Sequence, residues 1–311
     1  MNCLYLTLLV LSVVFPQAKG FCGSRGLDAN LTRAAIRAAE WLRNYQDKHG
    51  TYGEGHVNGF AFHSLRLVGH SVEHGAEVLN AEIIKQGGLG SIPGGPLAVY
   101  ILGALATCQD PWKFYGKDLV TSLYQKLDKF PQVGFNHPFQ YSLAIIALCT
   151  AGKDVGQKKY LNYIIHNIPN QTAASHASGD TLSMHIFALT CVKQFVKKPG
   201  QFRLKMRRIQ GGINAAIKIL YKRQLLDGTF GENEVTAALS YQALLTAEIN
   251  QRKCAETMKF LLSRQKPDGS FKNLGATIYV LPSLVGALPY DVNKITCPVN
   301  KTGEEIFYHE R

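Results

Sequence analysis

Apolar positions recur along this chain at helical spacing, and alternation of the strand type is weak throughout. The stretch 28–45 sets the pattern, with Ala35, Ile36, Ala39, Trp41 and Leu42 on one face behind a start at Asp28 or Asn30. Further helix-periodic segments fall near 56–68, 77–85, 96–108, 116–128, 138–150, 157–167, 181–195, 209–223, 235–248, 254–264 and 275–286. With the first they make twelve segments, about 24 residues apart, which suits six antiparallel helix pairs. Alternate members differ in kind. Leu97–Cys108, Ser142–Cys149, Leu182–Cys191 and Ala237–Leu245 are apolar almost all round, whereas Lys117–Lys129 and Gln157–His166 carry charge on one face. A helix apolar on every side must be buried on every side. An inner ring of such helices wrapped by an amphipathic outer ring meets that demand, so the pattern predicts an all-α fold, an (α/α)₆ toroid.

A short repeat supports the ring. QDKHGTYGEG, QLLDGTFGEN and QKPDGSFKN each follow a helix and share a Gln, a Gly four residues on, a Ser or Thr, and an aromatic. The glycine takes the left-handed conformation that ends a helix, and the aromatic pins the chain as it turns back. These are structural repeats with no catalytic content.

The ends and the cysteines add the compartment. Leu4 to Phe15 is a twelve-residue apolar run followed by Ala18-Lys19-Gly20, too short to span a bilayer and well placed for a secretory signal cleaved near Gly20. The reading is therefore a signal peptide over 1–20 and a secreted, extracellular chain of about 290 residues with no membrane insertion. Cys3 leaves with the signal, and Cys22, Cys108, Cys149, Cys191, Cys254 and Cys297 remain. An even count in an oxidising compartment predicts three disulfides, and spacing alone leaves all fifteen connectivities open. No CxxC pair suggests zinc. Asn30, Asn170 and Asn300 head N-glycosylation sequons.

The net charge is +12, and its densest part runs from Lys193 to Arg208, with seven cations and no acid. That segment reads first as a solvated loop and helix start. Its sharper reading is a patch for acidic glycans or a cell-surface receptor. No aromatic-basic motif points to nucleic acid.

Several helical toroids leave chemical marks. Terpene cyclases need clustered carboxylates, and this chain has no Asp-Asp pair. Prenyltransferases need an Asp/Cys/His zinc site, and complement-type thioester domains need Gly-Cys-Gly-Glu-Gln; neither pattern is present. A glycosidase needs two opposed carboxylates. Glu232, Glu234 and Asp180 are available for that role, but no spacing singles them out.

The stretches GPLAVYILGALATCQDP, FQYSLAIIALC, GDTLSMHIFALTC, GTFGENEVTAALSYQAL and GSFKNLGATIYVLPSLVG, with YDVNKITC, resemble in order the vitamin B12 carriers, the family of intrinsic factor, transcobalamin and haptocorrin. The resemblance runs through residues 22–298 and implies a cobalamin-binding transport protein with no enzymatic chemistry. It implies the pairing Cys22–Cys254, Cys108–Cys297 and Cys149–Cys191, each bridge contributing roughly 2–4 kcal/mol. It places Gln140, Asp180, Asn233 and Thr236 against the corrin's carboxamide rim, where groups that donate and accept are needed. Read from the residues alone, Asp180 is also a fitting N-cap for the helix behind it, and Gln140 and Asn233 are ordinary helix-terminal polar residues. The family's cobalt-coordinating histidine points to His176, which stands four residues before Asp180 here and three before it in the family. Pro96 and Tyr279 stand where family glutamines do, and Tyr279 can stack on the corrin or donate through its hydroxyl. The expected organisation is a signal at 1–20, the helical domain at 21–298 and a short tail at 299–311, with the family's β-rich domain absent. Tight binding then requires a second, β-type domain or partner chain. The alternative reading is a secreted interaction protein on a degenerate toroid, binding a receptor or acidic glycan.

Overall fold

The computed structural model describes residues 25–72, 74–132, 134–168, 178–195, 202–230, 233–246 and 254–297. The signal segment 1–20, Cys22, Asn170, His176, Lys197, Lys198, Asn300 and the tail 299–311 lie outside the described residues.

The described chain forms α1 (Arg25–Tyr45), α2 (Val57–Leu67), α3 (Gly75–Lys85), α4 (Gly94–Ala106), α5 (Leu119–Asp128), α6 (Pro138–Thr150), α7 (Lys158–His166), α8 (Gly179–Phe195), α9 (Phe202–Arg223), α10 (Glu234–Leu245), α11 (Cys254–Arg264) and α12 (Leu274–Leu284), followed by a 3₁₀ segment, Pro289–Lys294. The even-numbered helices close a ring: α2 packs on α4, then α6, α8, α10 and α12, which returns to α2. The odd-numbered helices pack outside it, α3 between α2 and α4, α5 between α4 and α6, and α9 between α8 and α10. Burial follows the sequence character. Every residue from Leu97 to Ala106 in α4 and from Tyr141 to Thr150 in α6 is buried. Outer α5 buries only Leu119, Val120, Leu123 and Leu127, one stripe at helical spacing.

α9 departs from the pattern read off the sequence. It begins at Phe202, seven residues before the apolar periodicity starts, and takes up Arg203–Arg208 from the basic segment. Arg, Leu, Lys and Met are good helix formers, and local propensity extends the helix where the apolar stripe alone gives no cue.

The repeated turn works as a lock. Gly50, Gly228 and Gly269 have φ of 75°, 82° and 92°. A Cβ on Gly228 would lie 2.3 Å from Thr257 N, and one on Gly269 would lie 2.4 Å from Arg37 O, so outer-helix backbone fills the space. The aspartates Asp47, Asp227 and Asp268 accept from the backbone N–H of Thr51, Thr229 and Ser270. Each aromatic then sinks into the core, Tyr52, Phe230 and Phe271 alike.

The ring is closed at one end. Ser64 Oγ donates to Ile278 O at 2.8 Å across the α2–α12 seam. The Pro289–Lys294 segment packs against α2, α4 and α6, with His63 Nε2–H donating to Pro289 O at 2.8 Å. Cys108–Cys297 ties the chain after this segment to the end of α4, with Cα atoms 5.7 Å apart. Cys149–Cys191 joins the far ends of α6 and α8 at 6.2 Å. Cys254 is also disulfide-bonded, and Cys22, the partner that the resemblance implies for it, lies outside the described residues. Consecutive helices are antiparallel, so all six inner helices start at the other end of the ring, and that end is the mouth.

Two inner-helix histidines make the fold acid-sensitive. Burial pushes the imidazoles of His63 and His185 down to about 4. The unfolded chain therefore binds protons more readily than the folded one between the ordinary histidine value and about 4. Stability is full above pH ~6.5 and falls below it, by up to about 1.4 kcal/mol per pH unit for each histidine. Urea unfolding across that window should show this slope, and a His63→Gln/His185→Gln double variant should lose most of it. An unchanged slope in the double variant contradicts the assignment.

Candidate functional site

The mouth is built from the first turns of the inner helices. On α6, Gln140 is half-buried in the first turn, and its Oε1 accepts from Asn136 N at 3.2 Å. Gly95 of α4 makes room for it, since a Cβ there would lie 2.9 Å from Gln140 Cδ. The loop before α6 is anchored by Gly94 N donating to Gly134 O at 2.9 Å and by Phe130, whose ring lies 5.1 Å from Tyr141 and 4.7 Å from Tyr163. His137 caps α6 through Nδ1, which accepts from Phe139 N at 3.1 Å and so leaves any neutral-ring proton on Nε2.

At α8 the structure corrects the capping assignment. Ser178 is the cap: its Oγ accepts from Thr181 N at 3.2 Å and its carbonyl takes Leu182 N. Asp180 lies inside the first turn, half-buried, where a carboxylate still gains from the helix dipole. Serine at this position reaches the N3 amide from outside the helix, which a residue already in the helical turn cannot do. Burial, reinforced by the Asp180 charge, pushes the Tyr279 phenol well above its usual range. The two residues sit on different inner helices, α8 and α12.

Tyr279 is half-buried on α12, and its ring centroid lies 5.3 Å from that of Phe60 on α2. Phe60 in turn meets His56 at 6.1 Å, and partial burial lowers the His56 imidazole from its ordinary value. The sequence reading did not single out Phe60 or His56. The pairing is between residues far apart in the chain, and an aromatic early in a helix is more often core. Together with Asp180 these rings give the mouth an aromatic strip beside a carboxylate.

On α10, Asn233 is the exposed N-cap, with Oδ1 accepting from Val235 N at 2.9 Å and Thr236 N at 3.1 Å. Its carbonyl oxygen is committed to the cap, so the group it can offer a ligand is the Nδ2 donor pair. Thr236 is fully buried beneath the rim. It stands six residues after Phe230, as Thr277 does after Phe271 and Asn58 after Tyr52. In those two copies the side chain accepts from the aromatic's N–H at 3.0 Å and 2.7 Å. The geometry thus brings Gln140, Asp180, Asn233 and Tyr279 to one end and sets Thr236 below them. Deeper still, His185 Nδ1 lies 2.7 Å from Ser142 Oγ. Among the described residues no group of three His, Cys, Asp or Glu could hold a metal ion, and no helix is long and apolar enough to cross a membrane.

The family model of the eukaryotic cobalamin-binding proteins matches residues 44–309, and the chain belongs to that family. It is 27% identical over 262 residues to transcobalamin-1 of Homo sapiens, covering 77% of this chain and 59% of that protein. It is 31% identical over 210 residues to transcobalamin-2 of Mus musculus, covering 62% of this chain and 46% of that protein. The chain thus spans about half of these relatives' length. Haptocorrin in complex with Cbi superposes with a TM-score of 0.66 at 22% identity, over 88% of this chain and 69% of that one. A type II terpene cyclase from Scytonema shares the fold at a TM-score of 0.57 and 13% identity, over 85% of this chain and 99% of that one.

The division of labour at α8 is measurable without ligand. Ser178→Ala should cost about 1 kcal/mol in thermal or urea melts, and Asp180→Ala should cost less. Asp180→Asn should also bring the Tyr279 phenol down in an ultraviolet pH titration. A larger stability loss for Asp180→Ala than for Ser178→Ala would return Asp180 to a capping role.

Proposed function

We propose that this chain is a secreted carrier that binds cobalamin, or a related corrinoid, flat against the mouth of the toroid, with no chemistry of its own. What supports the reading is a closed ring of helices whose inner members open on the polar residues Gln140, Asp180 and Asn233, in a chain of the cobalamin-binding family. A corrin is a flat macrocycle edged with neutral carboxamides. Its amide N–H groups need acceptors such as the Asp180 carboxylate, and its amide oxygens need donors such as Asn233 Nδ2 and Gln140 Nε2. The Tyr279 and Phe60 rings supply apolar area for the macrocycle, and Tyr279 keeps a neutral hydroxyl that donates.

His176 belongs to the proposal as the candidate cobalt ligand. His56 is a second imidazole on the mouth, kept neutral by partial burial. In the same reading the chain carries a signal at 1–20, a helical unit at 21–298 and a tail at 299–311. Asn30, Asn170 and Asn300 carry glycans; Asn30 is exposed on α1, where its Oδ1 accepts from Arg33. The mouth covers one face of the corrin. Association must first offset lost rotational and translational freedom, so tight retention needs a β-type domain or partner chain over the other face.

A visible-absorption titration of the purified chain with cyano- and aquocobalamin tests this. Binding should be clear and weaker than picomolar, and Asp180→Ala should weaken it by about 1–3 kcal/mol, that is roughly five- to 150-fold. A ligand-induced change in the aquocobalamin bands that vanishes in His176→Ala supports axial ligation. No spectral change even at millimolar corrinoid overturns the carrier reading.

A further inference from the structure

The outer wall carries a second surface that the mouth does not use. α9 holds seven cations (Arg203, Lys205, Arg207, Arg208, Lys218, Lys222 and Arg223) and no acid. Its outward face also exposes apolar side chains: Leu204 is 78% exposed and Tyr221 40%, with Leu225 and Leu226 just beyond at 50% and 89%. Half of the large hydrophobic residues that stand exposed among the described residues are these four. A shallow, open depression of about 310 Å³ lies over Asn214, Ile217, Lys218 and Tyr221. Lys193 Nζ donates to Gln210 Oε1 at 2.7 Å and Gln210 Nε2 to Asn214 Oδ1 at 2.8 Å, which fixes the side chains beside the depression.

One residue on this face has no explanation in the fold. Gly211 is exposed at mid-helix, and a Cβ there would meet nothing within 4 Å. Its neighbour Gly212 is different, since a Cβ there would press on Leu189 at 3.0 Å and Ile165 at 3.1 Å. Glycine inside a helix is destabilising relative to alanine, and alanine fits at 211 without contact. What a missing side chain offers there is a saddle that lets another backbone approach closely. Leu204, Arg207, Gly211, Lys218 and Tyr221 recur at three-, four- and seven-residue steps, a stripe about 25 Å long at the helical rise, with Leu225 in the turn that follows.

We propose that the outward face of α9 docks an acidic amphipathic helix of another protein, with its apolar residues in the Ile217–Tyr221 depression and over Leu204 and Leu225, its backbone crossing at Gly211, and its carboxylates on Arg207, Lys218 and Lys222. A second copy of this chain does not fit, because it would set seven cations against seven. A sulfated glycan would use the cations and leave the leucines in water. A flat anionic bilayer would not fill the depression.

The test uses the full chain and a fluorescent synthetic peptide as long as α9, leucine at heptad a and d positions and glutamate elsewhere. A scrambled peptide of the same composition, heparin, and phosphatidylserine-containing vesicles are compared at about 0.15 M ionic strength. The periodic peptide should bind at least about tenfold tighter than the scrambled one. Gly211→Leu and Lys218→Glu should each weaken it by about fivefold or more, with unchanged helical content and unchanged corrinoid titration. Gly211→Ala should raise the melting temperature while weakening the peptide, a combination a purely structural glycine cannot give. Equal binding of both peptides, indifference to Gly211→Leu, or tighter retention by heparin or vesicles overturns the proposal. The outcome is independent of whether the mouth binds a corrinoid.

Discussion

Helices that are apolar on every side have one economical arrangement, in which each is walled by two inner neighbours and an outer helix. Once α4, α6, α8 and α10 bury nearly every side chain, the ring has to close, because an open edge would leave a helix-length apolar face in water. Closure falls at the α2–α12 seam, where chain segments more than two hundred residues apart meet through Ser64 and Ile278. The Pro289–Lys294 segment and the Cys108–Cys297 bridge then cover one end and leave the other open.

That end concentrates helix starts, whose first N–H groups need partners. His137, Ser178, Asn233 and Asn273 supply them, with Asn273 Oδ1 accepting from Ala276 N at 2.9 Å. Capping and recognition therefore compete for the same polar side chains. At α10 the Asn233 oxygen is committed to the helix, and its amide donors take no part in the cap. At α8 Ser178 caps, and Asp180 sits inside the first turn, where its charge helps to raise the Tyr279 phenol. Thr236 shows the opposite result, a hydroxyl placed by a repeated turn and buried where the fold uses it.

The ring was legible in the chain because its cause is local: all-round apolar helices alternate with one-faced ones, and turn repeats punctuate them. The start of α9 was hidden because Arg203–Arg208 forms helix from propensity, without the apolar period that marks the other segments. At the mouth, Gln140, Asp180 and Asn233 were visible as polar residues opening apolar helices. Which of them caps was not visible, since at α8 that depends on a two-residue shift of register from Asp180 to Ser178. Phe60, His56 and the reach of Asp180 to Tyr279 depend on ring closure, and no local pattern announces them.

The account stands on the mouth being the corrinoid site, and amide hydrogen exchange with and without cyanocobalamin tests that directly. Protection should appear in the first turns of the inner helices, around Val57–Phe60, Phe139–Tyr141, Gly179–Leu182 and Val235, and along Ala276–Tyr279, with α9 unchanged. Protection confined to the outer helices or to the Pro289–Lys294 end, with the inner-helix starts unaffected at saturating ligand, would contradict it.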